Sequence, residues 1–202
     1  EGEQRPQLVV DHQRVAVAAA GGGQQHRQVD QGIGRHQVEQ VLEEVRQLSA
    51  LKGRMIFIAD DNFAGDKKYT KALLRELIPL NNSFKTPIEF ITQIDLTIAH
   101  DEELLTLLAD CNFQAVMIGI ESVNEASLKD FNKQQNMRFP IREAVQKIQS
   151  YGIVVLAHMI IGADSDDATV FRKTAEFIAD ANIVHHLCHP LAAPPGTKMW
   201  YE

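Results

Sequence analysis

The sequence predicts an α/β fold built on a parallel sheet, and three observations carry that expectation. Apolar, β-rich runs alternate with amphipathic runs between residues 37 and 197, the pattern of strands joined by helical crossovers. The β-rich runs are nearly continuous in apolar residues, as in strands buried on both faces. Polar and acidic residues gather where these runs end. Parallel α/β folds place function at those C-terminal strand ends, whether the sheet closes into a barrel or stays open and doubly wound.

The elements follow in order. "QVEQVLEEVRQLSALKG" sets Val38, Val41, Leu42, Val45, Leu48 and Leu51 on one helical face, with Gly53 as its stop. "RMIFIADDNF" (54–63) is the first strand, and "KYTKALLRELIPL" an amphipathic helix. "IEFITQIDL" (88–96) is the second strand. "DEELLTLLADCNF" (101–113) is a helix with acidic residues in its first turn. "AVMIGIES" (115–122) is the third strand. "MRFPIREAVQKIQSYG" holds a helix with Pro140 near its start and Gly152 at its stop. "IVVLAHMIIG" (153–162) is the fourth strand, and "SDDATVFRKTAEFIADAN" (165–182) a helix. "IVHHLCHPLAAPPGT" (183–197) opens as a fifth strand and ends in a Pro/Gly loop.

The strand ends supply candidate site residues. The first gives Asp60, Asp61 and Asn62, the second Thr92, Gln93 and Asp95, the third Glu121 and Ser122. The fourth gives His158, Gly162 and Asp164, the fifth His185, His186, Cys188 and His189. Asp101 and Ser165 fit helix N-caps, whereas Glu121 does not. Gly119 beside it suits close approach of a ligand. "HHLCH" invites a metal, but a strand points His185 and His189 one way and His186 and Cys188 the other. No metal site is assigned, and these histidines are expected to be structural.

Composition narrows the function. The chain has 202 residues, is 45% hydrophobic and 23% charged, and carries a formal charge of −7. A basic nucleic-acid groove is therefore not expected. No window approaches the roughly 18 apolar residues of a membrane span, and residues 1–10 do not read as a signal peptide. Two cysteines, Cys111 and Cys188, make no disulfide scaffold, which points to a reducing cytoplasm. The sequence holds no GxGxxG after the first strand, no GxxxxGK[ST] and no GxSxG, so dinucleotide, P-loop and hydrolase-elbow readings fall away.

Residues 1–36 stand apart as a non-domain segment. The first 40 residues contain no Ser, Thr, Lys, Asn, Met, Cys or aromatic side chain. Apart from Ile33, every residue of the segment has a codon that begins with G or C. A mistranslated stretch of a GC-rich gene and a disordered, biased tail both fit. Residues 37–202 form the second unit, a core domain.

"IADDNFAGDKKYTKALLREL", "FITQIDLTIAHDEELLTLLADCNF", "VMIGIESVNEASLKDFNKQQN", "IQSYGIVVLAHMIIGADSDD" and "APPGT" occur in this order. Together they resemble the core of radical S-adenosylmethionine (SAM) enzymes, in the cobalamin-binding branch, across residues 37–202. The resemblance implies a partial, TIM-like (β/α)₆ barrel with outer helices, holding a 4Fe-4S cluster and SAM at the strand C-termini. Such enzymes cleave SAM reductively to a 5′-deoxyadenosyl radical, used to methylate or rearrange a substrate carbon. It implies SAM contacts at Glu121, with Gly119 and Ser122 beside it. Asp60, Asp61 and Asn62 stand where the family binds the SAM amino group, and Gln93 joins them on the rim. Ile160, Gly162 and Leu191, with Ala192, stand where adenine packs. Cobalamin belongs to full-length relatives. The implied substrate is a small molecule, lipid-like or tetrapyrrole-like.

The departures shape a second expectation. The family's CxxxCxxC motif is absent, and Cys111 and Cys188 lie on other elements. The first barrel strand, an upstream cobalamin domain and a downstream domain are expected to be lacking here, and His158 stands where the family has a small residue. Family membership is expected, together with inactivity of this chain alone. A cluster-less SAM- or nucleotide-binding module and a metal-dependent α/β-barrel lyase are the alternatives.

Overall fold

The computed structural model describes residues 31–50, 55–131, 133, 136 and 140–201. The segment 1–30, expected to be a biased tail or mistranslated, lies outside the described residues, as do Leu51 and Gly53 of the first helical pattern. The elements run α1 (Gln31–Ala50), β1 (Met55–Ile58), α2 (Lys67–Ser83), β2 (Glu89–Gln93), a 3-10 turn (Leu96–His100) and α3 (Glu102–Asp110). They continue with β3 (Phe113–Glu121), α4 (Glu125–Asp130), α5 (Ile141–Gln149), β4 (Val154–Ile161), α6 (Val170–Asp180), β5 (His185–Pro190) and α7 (Lys198–Tyr201).

Five parallel strands form one sheet in the order β1-β2-β3-β4-β5. This order decides between barrel and doubly wound sheet. A doubly wound sheet reverses its strand order at a switch point. Here each step goes the same way, and right-handed crossovers then place every connecting helix on one face. Burial agrees. Phe90 and Thr92 of β2, Val116, Ile118 and Ile120 of β3, and Val155, Ala157 and Met159 of β4 are buried. Their alternates Gln93, Met117, Gly119, Leu156 and His158 are half-buried on the other face. The sheet is thus an arc of a (β/α) barrel, with a helix-covered outer face and an open inner face. Met55, Phe57 and Leu187 extend the apolar inner face to both edge strands, where each is more than 40% exposed.

The core sits between the outer face and the helices. Leu73, Leu74 and Leu77 of α2 and Leu104, Leu105 and Leu108 of α3 are essentially fully buried there. Val38, Val41, Leu42 and Val45 form the buried stripe of α1 that the sequence periodicity predicts. Asp101 caps α3 as expected, accepting the Leu104 N–H at 3.1 Å. Ser165 does not cap α6. That helix begins later, at Val170, because Asp166 and Asp167 turn their carboxylates to backbone N–H groups of Gly162, Ala163 and Thr169. Among the described residues no helix is long and apolar enough to cross a membrane.

Candidate functional site

The rim at the strand C-termini is assembled from four loops. At the tip of β1, Asn62 donates its backbone N–H to Asp60 Oδ1 at 2.9 Å and its side-chain amide to Asp95 Oδ2 at 2.7 Å. Asp95 also caps the 3-10 turn, accepting the Thr97 N–H at 2.8 Å. One carboxylate therefore ties the tips of β1 and β2 together, reinforced by the Phe63 N–H on the Gln93 carbonyl at 2.9 Å. Asn62 Oδ1 is buried and has no hydrogen-bond partner among the described residues. A buried acceptor without a donor costs about 1–3 kcal/mol, so this atom is suited to an incoming N–H or O–H. Asp61 is exposed beside it.

Glu121 has the most unusual backbone of the rim. Among the described residues three non-glycines have positive φ: Asn112, Asn182 and Glu121, the last at +67°. The asparagines follow helix ends, where this conformation is common. A glutamate gains nothing from it locally, and the left-handed region costs a side-chain-bearing residue about 1–2 kcal/mol. The pairing of β3 with β4 slips between Gly119 and Glu121, and this irregularity turns the Glu121 carboxylate back over the strand. A Cβ on Gly119 would lie 2.5 Å from Glu121 Oε1, so a side chain there would force the carboxylate to shift from this position. The carboxylate meets Lys133 Nζ at 3.1 Å. Asn136 donates to the carbonyls of Gly119 and Ile120 at 3.0 and 3.1 Å, holding the irregular strand end in place.

Ser122 and Thr92 are placed differently from the rim role that their positions suggest. Ser122 is buried, and its Oγ accepts the Asn124 N–H at 3.0 Å. Thr92 points to the helix-covered face and donates to the Ile58 carbonyl at 3.0 Å. Both brace the rim from behind.

The β4 loop is organised by Asp166. Its Oδ2 accepts the N–H groups of Gly162 and Ala163 at 2.9 and 3.0 Å, and its Oδ1 the Ser127 hydroxyl at 2.6 Å. Gly162, at φ +109°, lies against Leu191, whose Cβ would sit 3.6 Å from a Cβ on the glycine. The Leu191 N–H donates to the Ile161 carbonyl at 2.8 Å. Gly162 and Leu191 are thus together, with Ile160 half-buried on the inner face below. Burial pushes the Asp166 carboxyl up, but the Ser127 and backbone hydrogen bonds outweigh it and hold the carboxyl below its ordinary 3.8. A depressed carboxyl stabilises the fold above its unfolded value, and that contribution is lost as pH falls through the folded value. The thermal midpoint is therefore expected to fall as pH drops below 3.8. Asp166→Asn is expected to flatten that acid limb in melts recorded across the range.

The histidines divide as strand geometry predicts. His186 and Cys188 line a groove of ≈ 550 Å³ beside α6, with Phe171, Ile178 and Val184. His158 and His189 share the inner face, ring centroids 6.2 Å apart. Among the described residues no three His, Cys, Asp or Glu side chains come together as a metal site. A 4Fe-4S cluster with an open iron takes three thiolates, and the whole chain has two cysteines. Cys111 is fully buried at the N-terminal end of β3, opposite the rim. The residues present do not fit that cluster. They do fit a ligand with a cation and hydroxyl groups, through Glu121 and Asn62.

Sequence reasoning missed Lys133, Asn136 and Asp166 as parts of the site. Lys133 and Asn136 follow α4 in a stretch without helical or strand periodicity, and no local signal marks them. Asp166 reads as a helix N-terminal acid, and only the fold shows it bound to the preceding loop.

Residues 26–178 match the Radical SAM superfamily. The chain is 34% identical over 149 residues to an uncharacterized methyltransferase of Synechocystis sp., covering 74% of this chain and 28% of that protein. It is 31% identical over 164 residues to the hopanoid C-2 methylase of Rhodopseudomonas palustris, covering 80% of this chain and 31% of the relative. Its fold is similar to the radical S-adenosylmethionine methyltransferase TsrM of Kitasatospora setae, solved with cobalamin and a 4Fe-4S cluster bound. There the TM-score is 0.63 at 15% identity, over 76% of this chain and 30% of TsrM. The chain thus spans about a third or less of the length of these relatives.

Proposed function

The chain belongs to the radical SAM superfamily, and from that premise we propose that its rim is a SAM-binding site of a methyltransferase-type core spanning residues 37–202. The observation that carries this reading is Glu121, held in a left-handed conformation with its carboxylate turned over a glycine. Residues held in sparsely populated backbone regions cluster at active sites and ligand clamps.

When bound, SAM supplies a methyl group or an adenosyl fragment. The chain's own residues do the holding. Glu121 accepts from ribose hydroxyls or the amino-acid ammonium. Lys133, already paired with Glu121, supplies the positive charge that a zwitterionic ligand's carboxylate needs. Asn62 Oδ1 accepts an N–H at the β1 tip, with Asp60, Asp61 and Gln93 completing that end of the rim. Gly119 makes room for the Glu121 carboxylate and Gly162 lets Leu191 pack close, Ser122 fixes the turn behind Glu121, and Ile160 and Leu191 offer apolar surface to adenine. The inner face, lined by Met117, Leu156 and Leu187, suits an apolar small-molecule acceptor, and the hopanoid methylase among the relatives favours a lipid-like one. The lack of a disulfide scaffold in a chain with two cysteines supports the cytoplasm as the compartment in this reading.

Isothermal titration of the chain with SAM is expected to show one site. Adenosine is expected to bind more weakly, because it leaves Glu121 or Lys133 without its amino-acid partner. No heat with SAM, or equal affinity for adenosine, sinks the proposal.

A further inference from the structure

We infer that this chain holds SAM without assembling a 4Fe-4S cluster through its own side chains, so that SAM bound at its rim is not cleaved reductively. The SAM half rests on the reading above. The cluster half stands on ligand supply and position.

A cubane that leaves one iron open to SAM takes three thiolates close together, and a fully ligated one takes four. The chain has two, and residues 1–30 contribute none. Nor can these two cooperate. Cys111 caps the end of α3 and is fully buried in the core below the sheet. Burial, then the nearby Asp110 charge, push its thiol up to about 12, far from the thiolate that binds iron. Cys188 lies on β5, paired in register with Met159 of β4. It faces the groove beside α6 on the outer side of the sheet, whereas Glu121 and Gly119 lie on the inner side. The sheet itself separates the exposed thiol from the SAM rim.

Imidazole does not make up the deficit. His186 shares the outer face with Cys188, and His158 and His189 share the inner face, but among the described residues neither set gains a third ligand. Reductive cleavage of SAM puts one electron into the sulfonium and breaks a carbon–sulfur bond. Without the cluster, no group of this chain delivers that electron.

The test is anaerobic incubation of the whole chain with ferrous iron, sulfide and reductant, followed by desalting, iron assay and visible absorbance. Wild type and Cys188→Ser are expected to retain the same background iron, without the broad absorbance of a cubane. SAM affinity is expected to be the same before and after the treatment. About four irons per chain, or SAM binding that appears only after reconstitution, overturns the inference. An iron-free chain that also gives no SAM heat refutes the rim proposal and leaves the iron result in its favour.

Discussion

Replacing Glu121 with Gln is expected to lower SAM affinity by about 10–100-fold while leaving the fold intact. The substitution keeps size and removes charge. Hydrogen bonds to a charged group contribute about 1.5–3 kcal/mol, and each 1.4 kcal/mol is tenfold in affinity. Removing the carboxylate also leaves Lys133 without the partner it meets at 3.1 Å, so the ammonium of SAM then faces an unpaired cation. Glu121→Gly separates function from structure more sharply. Glycine adopts φ +67° without steric cost, which offsets the loss of a part-exposed ion pair worth about 0–1 kcal/mol. The Gly variant is expected to melt no lower than wild type and to bind SAM at least as poorly as Glu121→Gln. A residue kept for the salt bridge alone gives the opposite pattern: a lower melting temperature and unchanged calorimetry. Melting curves and titrations on the same preparations distinguish the two.

Why Glu121 was legible, and its surroundings were not, follows from the range of the forces involved. An apolar run that ends on Gly119 and Glu121 marks a strand tip with a carboxylate and a gap, and both features are local. The slip in register that swings the carboxylate inward is a property of two strands. So is the choice of face. Period-two alternation places Thr92 and Gln93 on opposite sides, but it does not say which side the helices cover. Strand order settles that, and Thr92 falls behind the sheet. Barrel and doubly wound sheet share one alternation of elements, and only the uninterrupted order from β1 to β5 selects the barrel arc. Lys133, Asn136 and Asp166 gain their roles from partners in other loops, 12 to 17 positions away for the first two and 39 for the Asp166–Ser127 contact. The 4Fe-4S mismatch, in contrast, needs only a count of cysteines, and the structure adds that they sit on opposite sides of the problem, one in the core and one behind the sheet.

The largest stability effect is expected at the other end of the sheet, at Asn81. This residue is 1% exposed in the last turn of α2, just past the pattern that reads as helix from sequence. Its Oδ1 accepts the Ile88 N–H at 2.8 Å, and its Nδ2 donates to the carbonyls of Ile88 and Cys111 at 2.9 and 3.2 Å. One amide thus satisfies the start of β2 and the turn from α3 into β3, at a place where the parallel ladder has not yet begun. Asn81→Leu conserves approximate volume and removes all three bonds. The Ile88 carbonyl keeps a donor in Asn112 Nδ2 at 2.9 Å, but the Ile88 N–H and the Cys111 carbonyl lose this side-chain partner in a dry setting. At about 1–3 kcal/mol for each of these two stranded groups, the total is about 2–6 kcal/mol, a large share of the 5–15 kcal/mol typical of a domain. That corresponds to a fall of roughly 4–24 °C in melting temperature for a chain of this size. Asn82→Ala, at the exposed neighbour, is expected to change stability by less than about 0.5 kcal/mol. Urea denaturation of both variants checks the pair, and a mild Asn81→Leu phenotype means that the two strand starts find water instead. The placement has a functional logic common to barrel folds: polar groups at the N-terminal strand ends are consumed in holding the sheet. At the C-terminal ends, Asn62 Oδ1 is without a partner among the described residues and Glu121 is left strained; under the proposed reading, a ligand at the rim relieves the first and uses the second.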